Sequence, residues 1–222
     1  VGIKHLEQRQ SDPKVAQEPI QLMIEAVKGA ARDAGSEELL KANSVRVSKG
    51  IWPYQNPGKA IAEAIGCPHA ESVISSFGGN FVQTLVNQSA LDIQNGLHDI
   101  IIITGAECGY TAAKAAKAKL DLDWSSLPGT PDRQLGEDKD MRHDAERAIR
   151  LGRPIAVYTI MEIALRHHLG LGVEEHLNKI SQLWADFNQV AVNNPNAWIR
   201  EAKTAEEIRT PSQINRPVSF PY

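Results

Sequence analysis

The sequence predicts an α/β protein, and three observations carry that prediction. Glu71 to Ser76 is a strand-like run followed by the tight turn Phe77-Gly78-Gly79-Asn80. Phe81 to Asn95 then has the length and composition of a helix. An unbroken apolar run, Ile100 to Ile103, lies within Asp99 to Thr104 and suits a strand buried on both faces. Strand, helix and buried strand in that order make a right-handed βαβ unit.

The remaining elements follow in chain order. Val1 to Ile3 fits the tail of a strand, and a polar linker runs on to Pro13. Glu18 to Gly35 reads as a helix, because Leu22, Ile24, Ala26, Val27, Ala30, Ala31 and Ala34 recur at helical spacing and Gly35 stops it. Asn43 to Ser48 alternates, with Val45 and Val47 on one side of a strand. Trp52 to Gly58 is a loop rich in turn residues, and Lys59 to Ile65 is a short helix ended by Gly66. The helix Phe81 to Asn95 carries one formal charge, Asp92. A surface helix of that length shows a charged face, so this one is expected to be buried on most of its circumference. Beyond Ala106 the pattern turns α-rich. Thr111 to Leu120 is an Ala/Lys helix, Asp121 to Gly136 a loop, and Glu137 to Arg150 a stretch of mixed charge. Ile155 to Leu169 and Val173 to Val192 are helices, and Thr204 to Ile208 is a short piece.

Composition excludes several classes. The 222 residues hold 24 Lys and Arg against 27 Asp and Glu, a net charge of −3, which argues against a nucleic-acid binder. With 42% hydrophobic and 23% charged residues the chain is not disordered. No apolar run approaches the roughly 20 residues of a membrane span. Two cysteines make neither a disulfide framework nor a zinc ribbon, and a reducing cytoplasmic location is the simplest expectation. The chain begins at Val1 without a Met, which leaves trimming, processing and further segments open.

Few side chains stand out as chemistry. A Gly-Gly turn opening a buried helix is where amides and the helix dipole meet an anion or a reacting group, although such turns more often serve close packing. Cys67 sits at a helix end between Gly66 and Pro68, and reads as a small packed thiol. Cys108 follows the buried strand, where α/β proteins place sites. Glu107 at the same strand end can act as a base or fix loop amides, and the structural role is favoured. His143, His167, His168 and His176 show no metal-ligand spacing, so no metal is expected. His143 reads as part of a solvated charged face, and His167-His168 as cations at a helix end. Lys114, Lys117 and Lys119 form a basic stripe, most simply a solvated face. Gly78-Gly79-Asn80 is neither a dinucleotide fingerprint nor a P-loop, and no Gly-x-Ser-x-Gly elbow occurs.

Several runs resemble the thiolase superfamily. These are Ser75-Ser76-Phe77-Gly78-Gly79-Asn80-Phe81-Val82-Gln83-Thr84-Leu85, Asp92-Ile93-Gln94-Asn95-Gly96 and Ile101-Ile102-Ile103-Thr104-Gly105-Ala106-Glu107. Trp52 to Gly58, Asn194 to Trp198 and Asn215 to Tyr222 are similar to the SCP2-thiolase-related, thiolase-like acetyl-CoA acetyltransferase group. The resemblance runs over nearly the whole chain.

It implies the N-terminal βαβ half of a five-layered α-β-α-β-α core, with an α-rich loop domain that covers coenzyme A. On that reading residues 1–110 are the α/β core and 111–205 the loop domain. Residues 206–222 are a return segment toward a C-terminal half that this chain does not contain. The implied activity is Claisen-type acyl transfer on CoA thioesters, in lipid metabolism, with coenzyme A or acyl-CoA as ligand and no covalent cofactor. The family's nucleophilic Cys falls at Gly78 or Gly79 here, and its partner His and second Cys have no counterpart, so no catalytic residue is assigned. Gly78, Gly79 and Asn80 are expected to line the acyl site, and Lys114, Lys117 and Arg142 to meet CoA phosphates. Two other readings follow from the missing Cys. One is a retro-aldol lyase working with a small zinc-ribbon/OB-fold partner, and the other a non-catalytic CoA-binding or scaffold protein. A homo-oligomer or association with a missing C-terminal half is also implied.

Overall fold

The structure is a computed structural model in which residues 1–138, 140, 142–151, 154–213 and 215 are described. The chain divides into two compact units, Val1–Lys139 and Asp140–Tyr222.

A four-stranded parallel sheet organises the first unit. Its strands are β1 (Ser44–Val47), β2 (Glu71–Ser75), β3 (Ile101–Thr104) and β4 (Arg133–Leu135), in the order β3-β1-β2-β4. Val45 stands level with Ser72 of β2 on one side and Ile102 of β3 on the other. With strands on both flanks and helices on both faces, all four residues of β1 are buried.

Alternation along β1 sorts its side chains between the two faces. Val45 and Val47 join Met23 and Val27 of α1 (Pro19–Asp33) and Ile61 and Ala62 of α2 (Pro57–Ile65) in the main core. Arg46 points the other way, toward α3 (Phe81–Gln94), where it meets Ser89 and Asp92. Leu85 of α3 packs with Val73 and Leu135 on that face. Local signals set the helix ends. Glu18 and Gln21 form a capping box at the start of α1, with Pro19 in its first turn. Asn56 caps α2, which ends on Gly66 at φ +89°.

Several expectations are corrected. α3 is not buried on most of its circumference. Leu85, Ser89 and Asp92 are buried, whereas Val82, Val86, Leu91 and Ile93 are 44% to 52% exposed. A low charge count makes a face apolar, but burial requires another element to cover it, and among the described residues the elements packed on α3 include β2, β3 and β4, all on its sheet side. The segment Asp121 to Gly136 is not wholly loop, since it contains β4. Three residues with one apolar side chain carry no periodic signal, and the strand exists through its pairing with β2. Val1 to Ile3 form no strand, and the Ile3 amide instead donates to Asp33 Oδ2. β3 is consequently an edge strand, partly exposed with Ile103 at 37% rather than buried on both faces as expected, beside a cavity of about 550 Å³ bounded by Val1–Lys4 and α1.

The first unit runs on to Lys139. α4 (Gly109–Ala118) and β4 both belong to the first unit. Among the described residues, the second unit is helical: α5 (Asp144–Ala148), α6 (Pro154–His168), α7 (Val173–Val192) and α8 (Ala205–Arg209). Thr204 and Glu207 form a capping box on α8, and Arg209 of α8 pairs with Glu174 of α7 at 3.0 Å. Residues 214 and 216–222 of the expected return segment lie outside the described residues. No helix among the described residues is long and apolar enough to cross a membrane.

Candidate functional site

All four parallel strands end at one edge of the sheet. The order β3-β1-β2-β4 places β2 on one side of β1 and returns β3 to the other. Open parallel sheets bind ligands outside the carboxyl ends of strands near such a reversal. The residues that follow the strands here are Lys49-Gly50, Ser76 to Asn80, Gly105 to Cys108 and Gly136 to Asp138.

The turn between β2 and α3 is built from buried serines. Ser75 and Ser76 are 0% and 1% exposed. The Ser75 hydroxyl accepts from the Lys49 amide at 3.0 Å and donates to the Ser76 carbonyl at 2.9 Å. Gln134 Nε2 donates to Ser76 Oγ at 3.2 Å. Beyond the serines the chain emerges: the Phe77 amide donates to Asp138 Oδ1 at 3.0 Å, and Lys49 Nζ reaches Asp138 Oδ2 at 2.6 Å. Hydrogen bonds from Lys49 and from the Phe77 amide hold the Asp138 carboxyl below the usual carboxylate range.

Gly78 and Gly79 differ sterically. Gly78 has φ +153°, and a Cβ there would lie 2.9 Å from Asn80 Oδ1. A Cβ on Gly79 would meet nothing within 4 Å. Asn80 precedes α3 in a helical conformation and its side chain makes no capping hydrogen bond. The structure thus places Gly78, Gly79 and Asn80 together at the opening of α3.

The other candidates have defined places. Glu107 Oε1 accepts from the Ile51 amide at 2.7 Å, and Trp52 Nε1 donates to the Ala106 carbonyl at 3.0 Å, so the loops after β1 and β3 are tied together. The Cys108 thiol is buried 3.7 Å from the Gln17 carbonyl. Burial, with Glu107 and Glu18 nearby, pushes it up from the ordinary thiol range. Burial does the same for Cys67 at the end of α2. Neither is an activated nucleophile, since activation needs a depressed pKa.

Lys114 and Lys117 lie on α4 in the first unit. Lys114 Nζ donates to the Ser11 carbonyl at 3.1 Å and sits 4.8 Å from the centre of the Tyr110 ring, and Lys117 is exposed in the last turn. Arg142 belongs to the second unit, where its amide donates to Asp140 Oδ1. His143 is the N-cap of α5 rather than part of an undifferentiated charged face, accepting from the Ala145 amide. His167 and His168 close α6 as expected. His176 is buried, with Nε2 2.9 Å from Glu162 Oε1. Among the described residues no cluster of His, Cys, Asp and Glu has the makings of a metal site.

Two groups at the sheet edge escaped sequence reasoning. Lys49 was legible in principle, as the first cation after a predicted strand. Asp138 was not, because it follows β4. The second unit also holds an open groove of about 1140 Å³, with Trp184, Phe187, Trp198 and Ile199 as apolar wall, and with Glu201, Glu206 and Glu207 facing Arg200 and Lys203.

No family model and no curated protein matches the chain. Among solved structures it is similar to a monomeric SCP2-thiolase-like protein, type 1, from Mycobacterium smegmatis, at a TM-score of 0.69 and 22% identity. The match covers 100% of this chain and 41% of that one. The chain has a thiolase-like fold. It spans about two fifths of that protein's length. Within this fold the Gly78-Gly79 turn, the open N-terminus of α3 and the Lys49–Asp138 pair occupy the carboxyl end of the sheet.

Proposed function

We propose that this chain is part of a thiolase-fold protein of the acyltransferase class that binds acyl-CoA and takes part in carbon–carbon bond chemistry on CoA thioesters without a cysteine nucleophile. The observation that carries the reading is the Gly78-Gly79 turn at the end of β2, in a thiolase-like fold, with both thiols elsewhere and pushed up from the ordinary thiol range by burial. Claisen and retro-aldol steps on a thioester both pass through a charged oxygen, which amides at a turn and helix N-terminus stabilise. The groove of the second unit supports the reading as well. Its aromatic wall suits the apolar stretches of a CoA-like ligand.

A retro-aldol lyase is the second reading, favoured by the lack of a cysteine at that turn, because that chemistry needs a base and an oxyanion stabiliser but no covalent thiol. A small zinc-ribbon/OB-fold partner, or pairing with a C-terminal half or a second copy, belongs to these readings, and so do the cytoplasmic location and a role in lipid metabolism.

The test is calorimetric titration of the full chain with CoA and acetyl-CoA, combined with intact-protein mass spectrometry before and after acetoacetyl-CoA. Saturable binding without an acyl adduct is expected. Absence of binding overturns the CoA reading, and a covalent adduct overturns its cysteine-free chemistry.

A further inference from the structure

The Asp138 carboxylate has a different donor on each oxygen. Lys49 Nζ is 2.6 Å from Oδ2 and the Phe77 amide is 3.0 Å from Oδ1. A cation and a backbone N–H spaced across the two oxygens of one carboxylate form a receptor for a small oxyanion, and charge-assisted bonds of this kind are the stronger class. We propose that Lys49 Nζ and the Phe77 amide form a carboxylate-binding site, and that Asp138 fills it as an internal ligand which an incoming oxyanion displaces.

Further observations support this. The donors stand at the carboxyl ends of β1 and β2, beside the reversal in strand order. The Lys49 and Asp138 side chains are 37% and 48% exposed, so the pair is reachable from solvent and, as an exposed ion pair, is weak enough to exchange. The Lys49 and Phe77 backbones are themselves fixed. The Lys49 amide donates to buried Ser75, and Phe77 follows buried Ser76, so the backbone that carries both donors is anchored independently of Asp138. Lowering of the Asp138 pKa by Lys49, the Phe77 amide and the Ser76 side chain is what a donor-rich anion site does to its occupant. Exchange moves no covalent bond: one carboxylate leaves the ammonium and the amide, and another takes both.

The experiment titrates the full chain with sodium acetate, and separately with inorganic phosphate, at constant ionic strength, reading the Phe77 amide by nitrogen-15 correlation spectra. In D138A acetate is expected to shift that amide saturably and to bind about fivefold tighter than in the unsubstituted chain, the upper range for releasing an exposed ion pair. Adding K49Q to D138A removes the response. D138N repeats the measurement with the shape of the side chain retained. A stronger response to acetate than to phosphate supports a planar carboxylate as ligand, and the reverse order replaces it with a phosphate. No saturable shift in D138A and D138N, or a shift that persists with K49Q, overturns the proposal. The acyl-CoA reading fails separately: loss of CoA binding with the acetate response intact removes that reading and leaves this site.

Discussion

Arg46 at the centre of β1 donates to the Asp92 carboxylate of α3 at 2.5 Å, and the two side chains are 0% and 2% exposed. Asp92 is the only formal charge on α3. Arg133 of β4 donates to the same oxygen at 3.1 Å, and Gln88 Nε2 supplies the other at 2.7 Å. Arg46 is further satisfied by Ser89 and Ser44. The pair therefore fastens α3 to the central and fourth strands, and with it the turn that opens α3. Removing one partner of a buried pair leaves an uncompensated charge. D92A is expected to destabilise the first unit by about 3–5 kcal/mol, and D92N by less. Amide hydrogen exchange at Val45 and Val47 reads this directly.

Acid should weaken the same unit. Burial pushes the Asp92 pKa upward, but hydrogen bonds from Gln88 and Arg46 outweigh it, and the net position is below the ordinary carboxylate range. Asp132 is lowered by the Ser72 amide, at 2.8 Å, and the Ser72 hydroxyl. A carboxylate whose folded pKa is depressed contributes stability that is fully present above its unfolded value, near ~3.9, and is lost as pH falls through the folded pKa. Urea midpoints measured from neutral pH downward should drop in that window, and D132N should flatten the drop.

The glycines at the candidate site should respond unequally. A Cβ at Gly136 would lie 2.2 Å from the Phe81 ring, at φ +87°, while one at Gly79 meets nothing. G136A is expected to cost about 1–3 kcal/mol, and G79A to stay within about 0.5 kcal/mol. Thermal unfolding of the two variants decides this.

G79C should fit for the same reason, yet it is expected to give no thiolysis of acetoacetyl-CoA. A thiol at that turn would still lack the His that activates it, since no His among the described residues is tied to the turn by a hydrogen bond or ion pair. Measurable CoA-dependent cleavage by G79C would show that another base is present.

Both native thiols should react slowly. At pH 8 a disulfide reagent is expected to modify Cys67 and Cys108 more slowly than a free model thiol, with Cys108 the slower because it is buried. Rapid labelling of either would contradict their placement.

The sequence alone determined the α/β class and most of the elements, because those rest on local periodicity and stop signals. Helical spacing from Leu22 to Ala34, Gly66 and Gly96 as stops, and the apolar run at Ile101 to Ile103 are short-range features. The expected helix Val173 to Val192 is the observed one. The runs around Gly78 and Gly79 also led to the thiolase-like fold. Tertiary structure alone decided the rest. β4 exists because β2 offers it a partner, and its three residues say nothing alone. Arg46 looks like the polar side of a half-buried strand, but sheet order makes β1 central and forces that arginine to find Asp92 46 positions away. Lys49 meets Asp138 across 89 positions. Pairings over such separations follow from how strands are ordered and which faces are covered, and no local pattern encodes them.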